Sequence, residues 1–189
     1  MNTSAPGLRR FGPSALLTPA NLMTMARLAL TLPLLAVISA DGPSWRSALG
    51  WAALGSTDGL DGWLARRDGT TRSGAFLDPL ADKFLAIGGL WALAAQGIFP
   101  WLPVAVIAVR EVGVSAYRAV AGRRGICLPA RGLGKLKTVS QLLAVGIALV
   151  PLSHWTPDIA IALLWAAVAL TVISGVDILR HGRTGSGPG

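Results

Sequence analysis

Apolar residues run along this chain in six long stretches separated by short polar or charged links. The first covers about 22–40 (LMTMARLALTLPLLAVISA), and the others about 45–66, 76–98, 101–122, 134–152 and 157–179. A helix that crosses a bilayer needs about 20 mostly apolar residues, so each stretch predicts a spanning helix. The second, third and fourth are interrupted by charge, but the apolar residues around the charges are continuous. Basic residues fall in alternate links. Arg9 and Arg10 precede the first stretch, Arg66, Arg67 and Arg72 follow the second, Arg123, Arg124, Arg131, Lys135 and Lys137 follow the fourth, and Arg180 and Arg183 follow the sixth. The intervening links carry little charge: Asp41 before the second stretch, none in Gly97–Pro103, and His154 and Asp158 before the sixth. Positive charge stays on the cytoplasmic side, so both termini are expected there. Trp45, Trp101 and Trp155 lie at the opposite ends, where an aromatic belt belongs.

Composition sharpens this pattern. Of 189 residues, 52% are hydrophobic and 14% charged, and the mean hydropathy is +0.57. A soluble core in a chain this short cannot enclose so much apolar surface, and a disordered chain would be far more polar. An all-α integral membrane protein is expected, multi-pass in the cell membrane. Residues 1–18 and 181–189 form its tails and 19–180 its single domain. Arg9-Arg10 before an apolar run does not make a signal peptide, because Arg27 interrupts the run and more spans follow. The lone Cys127 excludes a disulfide framework and a cysteine-based zinc site. The net charge of +8 fits nucleic acid or anionic lipid; in a spanning chain most of it is topology signal, so membrane lipid is the expected partner and nucleic acid is not.

Ionisable residues inside spans are costly and mark function. Asp58 and Asp61 are spaced i, i+3, and Asp78 and Asp82 are spaced i, i+4, so each pair shares a helix face. The pairs lie at adjacent ends of consecutive helices, and an antiparallel arrangement brings all four carboxylates together near the cytoplasmic surface. Oxygen ligands without histidine or cysteine favour a hard ion, Mg²⁺ or Mn²⁺. Two such ions bridged by carboxylates are a recurrent device of phosphoryl chemistry. The competing reading is salt bridging to Arg66, Arg67, Arg72 and Lys83. Gly62, Ala65 and Gly74 let a flat group approach the backbone, or else serve close helix packing. Arg66 points to the same place, where a phosphate needs a guanidinium.

These residues carry a resemblance. Asp58-Gly-Leu-Asp61-Gly62-Trp-Leu-Ala65-Arg66, followed by Gly74-Ala-Phe-Leu-Asp78-Pro-Leu-Ala-Asp82-Lys83, resembles the signature of the CDP-alcohol phosphotransferase family, D-x-x-D-G-x-x-A-R, a spacer, then G-x-x-x-D-x-x-x-D. Seven residues separate Arg66 from Gly74, one fewer than is common in the family. Asn21-Leu-Met-Thr24-Met-Ala-Arg27 resembles the family's N-x-x-T-x-x-R. Arg110-Glu111 and Gly134-Lys135-Leu-Lys137-Thr138-Val-Ser-Gln141 resemble the branch that acts on glycerol 3-phosphate. The likeness covers roughly 19–145, and the final span adds nothing specific to it.

The resemblance implies six transmembrane helices around a cytoplasm-facing polar cavity, commonly in a homodimer. It makes Asp58, Asp61 and Asp78 ligands of a two-ion Mg²⁺ or Mn²⁺ centre, and Asp82 both a ligand and the general base. Gly62, Ala65, Arg66, Thr71 and Gly74 would bind CDP-diacylglycerol through its nucleotide, with Asn21 and Thr24 lining the pocket. The implied reaction transfers a phosphatidyl group from CDP-diacylglycerol to an acceptor hydroxyl and releases CMP. Glycerol 3-phosphate is the expected acceptor. Its phosphate needs fixed cations, for which Arg110, Arg118, Lys135 and Lys137 are the candidates. Arg110 has a second reading, as the partner of a carboxylate inside the bundle. Two other functions compete: a cardiolipin synthase of the same superfamily that uses phosphatidylglycerol, and a cation transporter that uses the aspartates as its ion site. A transporter would spread its acids along a path through the membrane; here they group at one side.

Overall fold

The computed structural model describes residues 19–68, 72–123, 132–152 and 156–184, with side chains described at 22–57, 80–117, 120, 136–152 and 156–175. These residues form six α-helices: α1 Pro19–Asp41, α2 Trp45–Asp68, α3 Arg72–Ala95, α4 Trp101–Arg123, α5 Gly132–Leu149 and α6 Thr156–Thr184. Each expected span is one helix. α3 begins at Arg72, in polar residues ahead of the apolar run, and α6 continues to Thr184, past the expected end of the span.

The helix ends have local causes. Gly42 ends α1 with φ +63°, and its N–H bonds to Ile38 O at 2.9 Å. Gln96 Nε2 donates to the same carbonyl at 2.7 Å, and a Cβ on Gly42 would stand 2.9 Å from Gln96 Oε1. Ser44 then caps α2, accepting from Ser47 N at 3.2 Å. Gly97, at φ +74°, turns the chain after α3, and Ile98 N–H reaches back to Leu93 O at 3.0 Å. That turn stops α3 at Ala95 although the apolar residues run on.

α1 packs on α2 and α3, α5 on α2, α3 and α6, and α4 on α3 and α6. Gln96 on Ile38 at one end and Asp82 on Arg27 at the other make α1 and α3 parallel. The short link through Gly42 and Ser44 makes α2 antiparallel to both. Trp51 locks the centre. Its indole Nε1 donates to Leu142 O at 3.0 Å, and a Cβ on Gly89 would lie 2.4 Å from its ring. Only a glycine lets α3 pass that close to the indole. Ile38, Leu93, Phe99, Ile107, Val145, Leu149 and Leu164 complete the buried core.

Beside this apolar core the bundle also buries charge and exposes large apolar side chains. Arg27, Glu111, Lys137 and Gln141 are buried, while Leu32, Leu49, Leu102 and Val109 are exposed, the last at 74%. Charged side chains that face the bundle interior beneath an apolar surface are the mark of a lipid-facing fold. Among the described residues, Leu22–Asp41 and Thr156–Gly175 are long and apolar enough to cross a membrane, and Leu136–Leu149 is a shorter apolar helix. The fold is therefore an all-α bundle of six helices with two candidate membrane-spanning segments.

Candidate functional site

The buried charged side chains, Arg27, Glu111 and Lys137, lie toward one end of the bundle, the end with the N-termini of α1, α3 and α5. α3 supplies the junction. Asp82 and Lys83 are consecutive, so they leave the helix about 100° apart. Asp82 meets α1: Arg27 Nη1 donates to Asp82 Oδ1 at 2.6 Å. Lys83 meets α4: its Nζ donates to Ser115 Oγ at 2.5 Å, and that hydroxyl donates to Glu111 O one turn back.

Thr31 Oγ1 bonds back to Arg27 O at 2.8 Å. The Arg27 side chain is 2% exposed and that of Asp82 34%. The pair thus has one end in the bundle and one end accessible. Thr24, a turn before Arg27, is buried.

The second cluster joins α4, α5 and α6. Glu111 Oε1 accepts from Arg110 Nη1 at 3.0 Å and from Lys137 Nζ. Arg110 Nη2 donates to Ser174 Oγ at 2.6 Å, and Ser174 Oγ donates to Thr171 O at 3.2 Å. Gln141 Nε2 approaches Thr171 Oγ1 at 3.5 Å. Of the two readings of Arg110, a carboxylate partner inside the bundle is present, and Lys137 shares it.

The expected metal ligands are placed by their helices. Asp58 and Asp61 lie in the second half of α2, and Asp78 and Asp82 in the first half of α3. Asp68 and Arg72 are four Cα steps apart, so these ends lie within about 15 Å of each other. Asp58 is about 15 Å back along α2 and Asp82 about 15 Å on along α3, while Asp61 and Asp78 are each about 10 Å from the same ends. Antiparallel helices put these residues at similar heights along the bundle. Asp82 is the aspartate of the four whose side chain is described; its named partner, Arg27, is none of the four basic residues weighed from the sequence. Gly62, Ala65 and Arg66 follow on α2 and Gly74 on α3, with their side-chain surroundings outside the described residues, and Thr71 lies wholly outside them. The same holds for the side chains of Asn21 on α1, Arg118 on α4 and Lys135 on α5.

Four aspartates on α2 and α3, with no histidine or cysteine on either helix, are the donor type that suits a hard divalent ion. Arg27, Glu111, Ser115, Thr171 and Ser174 had no assigned role in the sequence. For Arg27 and Glu111 the signal was present, as charged residues within apolar runs. For the hydroxyl residues there was none.

The family profile described as CDP-alcohol phosphatidyltransferase matches residues 17–173. A protein of Mycobacterium tuberculosis named "Probable phosphatidylglycerophosphate synthase" is 39% identical over 168 residues, covering 86% of this chain and 80% of the relative. The "CDP-diacylglycerol--glycerol-3-phosphate 3-phosphatidyltransferase" of Bacillus subtilis is 34% identical over 174 residues, covering 82% of this chain and 90% of that one. A protein of the same name from Salmonella choleraesuis is 36% identical over 172 residues, with 86% and 93% covered. With the aspartate signature on α2 and α3 and a profile match across nearly the whole bundle, this chain belongs to the CDP-alcohol phosphatidyltransferase family.

Proposed function

We propose that this protein transfers the phosphatidyl group of CDP-diacylglycerol to sn-glycerol 3-phosphate, forming phosphatidylglycerophosphate and releasing CMP. The observation that carries this reading is the α3 junction. Asp82 pairs with Arg27 of α1, and Lys83 turns the other way to Ser115 of α4, one turn from the Glu111 that holds Arg110 and Lys137. In this reading the aspartates take a metal-bound diphosphate and the basic residues beyond Lys83 take an acceptor phosphate. The names of the relatives, which specify glycerol 3-phosphate, support the same acceptor.

In this reading Asp58, Asp61, Asp78 and Asp82 hold two divalent ions, Mg²⁺ or Mn²⁺. When bound, these neutralise the diphosphate and make CMP a better leaving group. Gly62, Ala65, Arg66, Thr71 and Gly74 bind the cytidine diphosphate, with Asn21 and Thr24 beside it. Asp82 accepts the proton of the acceptor hydroxyl. The hydroxyl oxygen bonds to the β-phosphorus of CDP-diacylglycerol, the bond from that phosphorus to the CMP oxygen breaks, and the proton passes to solvent. Arg27 orients the Asp82 carboxylate for that transfer. Arg110, Arg118, Lys135 and Lys137 receive the acceptor phosphate.

All six helices cross the cell membrane in this reading. Both termini and the polar end face the cytoplasm, as the alternation of basic links requires. The acyl chains then stay in lipid while the headgroup meets a water-soluble acceptor. A homodimer, which the family resemblance implies, is the assembly. A cardiolipin synthase would take a lipid diester from the bilayer and has less need of paired buried cations. The test is CMP release from CDP-diacylglycerol by the purified protein with Mg²⁺ or Mn²⁺, with and without glycerol 3-phosphate. Release that needs the acceptor supports the reading, and release indifferent to it contradicts the assignment.

A further inference from the structure

α6 carries no part of the family signature, yet it holds one edge of the Arg110 guanidinium. Three contacts fix that group. On the near edge Nη1 donates to Glu111 Oε1 at 3.0 Å, and on the far edge Nη2 donates to Ser174 Oγ at 2.6 Å. The third is steric. A Cβ added to Gly175 would stand 3.3 Å from Arg110 Nε, closer than an ordinary contact. Nε itself is buried and has no hydrogen-bond partner among the described residues. The guanidinium therefore lies against an α6 residue without a side chain, and the preceding residue grips its end. Ser174 Oγ is oriented in turn, because its own proton goes to Thr171 O at 3.2 Å.

A guanidinium has five N–H donors. The bonds to Glu111 and Ser174 take one from each terminal nitrogen and leave a second on each. Lys137 shares Glu111 Oε1 with Arg110, so the two cations sit side by side. Between these three residues the charge is one positive in excess, in a buried place where such an excess is costly. An incoming phosphate dianion that reaches both cations relieves it, and charge-assisted hydrogen bonds to such a group depend on fixed geometry. Lost orientation of one cation should weaken phosphate binding even where the cation itself remains.

We propose that Ser174 and Gly175 of α6 are positioning residues for the acceptor phosphate, acting through Arg110, with Glu111 as the opposite jaw of the same clamp. This rests on the reading of Arg110 and Lys137 as acceptor ligands, and it deepens that reading by giving the last helix a part in acceptor recognition.

The test compares Ser174→Ala, Gly175→Ala and Arg110→Ala with the parent protein, all full-length in detergent or nanodiscs. The measurements are KM for glycerol 3-phosphate, KM for CDP-diacylglycerol, calorimetric binding of glycerol 3-phosphate, and thermal unfolding. Ser174→Ala and Gly175→Ala should each raise KM for glycerol 3-phosphate and weaken its binding roughly threefold to tenfold, as expected when a bond to a charged group is lost indirectly. KM for CDP-diacylglycerol should stay within about twofold, and Arg110→Ala should exceed both in the same direction. If Arg110→Ala raises KM for glycerol 3-phosphate and the two α6 variants only lower the unfolding temperature, the α6 contacts are structural and this inference is wrong. If Arg110→Ala leaves that KM unchanged, the acceptor reading falls and the inference with it.

Discussion

Arg27 of α1 donates from Nη1 to Oδ1 of Asp82 on α3 at 2.6 Å, with the arginine buried and about a third of the aspartate side chain exposed. The two residues are 55 positions apart, and their contact fixes the height of α1 against α3. It also gives Asp82 a defined orientation before any substrate arrives. An arginine–carboxylate bond is charge-assisted and directional. In the proposed reaction, the carboxylate that takes a proton from the acceptor hydroxyl is thus aimed by the first helix of the bundle.

Arg27→Ala should therefore lower kcat on the order of a hundredfold, the usual cost of misplacing a reacting group by about 1 Å. Arg27→Lys keeps the charge without the planar fork and should fall between the two. The converse change, Asp82→Asn, weakens the partner of a buried cation and should reduce stability by about 1–3 kcal/mol. CMP release and thermal unfolding in detergent check both. Wild-type kcat in Arg27→Ala would remove the orienting role.

The aspartates should differ in kind. Asp58→Asn, Asp61→Asn and Asp78→Asn should each abolish turnover and weaken Mn²⁺ binding, read directly by electron paramagnetic resonance. Asp82→Asn should abolish turnover while CDP-diacylglycerol binding partly survives, because a base acts on the acceptor. Undiminished CMP release after EDTA treatment would rule out metal dependence.

Much of this architecture is legible in the linear pattern. Six apolar runs give six helices, because run length and alternating charge are local properties of the chain. The ends are less legible. α3 stops at Ala95 because Gly97 adopts a left-handed turn, not because the apolar run ends there. The aspartate pairs stand out because charge inside an apolar run has few explanations. The partner of Arg27 is not legible, since nothing along the chain says which of the later carboxylates α1 will meet. Ser174 and Gly175 are the least visible of all. A serine and a glycine in an apolar helix suggest packing, and their role depends on an arginine 64 residues earlier.

Packing at the centre is tight enough to test by one methyl group. Gly89→Ala would place its Cβ 2.4 Å from the Trp51 ring, which the bond to Leu142 O holds in place, and 3.1 Å from Val145 Cγ1. Overpacking of this kind costs about 1–3 kcal/mol, and a lowered unfolding temperature in detergent should show it. Trp51→Phe combined with Gly89→Ala should recover part of the loss. An unchanged unfolding temperature in Gly89→Ala would mean that the helices separate easily here.

Topology can be read by cysteine accessibility after replacement of Cys127 by serine. Thr70→Cys, in the basic link after α2, should label from the cytoplasmic side. Leu152→Cys, exposed between α5 and α6, should label from the opposite side. Labelling of both from one side would sink the six-crossing arrangement.

The most direct test offers the purified protein both acceptors at once. CDP-diacylglycerol, Mg²⁺, glycerol 3-phosphate and phosphatidylglycerol are combined in one mixed-micelle reaction, and the lipid products are identified by mass. Phosphatidylglycerophosphate formed in step with CMP, and reduced in Arg110→Ala unless glycerol 3-phosphate is raised, is the predicted result. Cardiolipin as the product, with glycerol 3-phosphate left unused, would contradict the account of the basic cluster on α4 and α5.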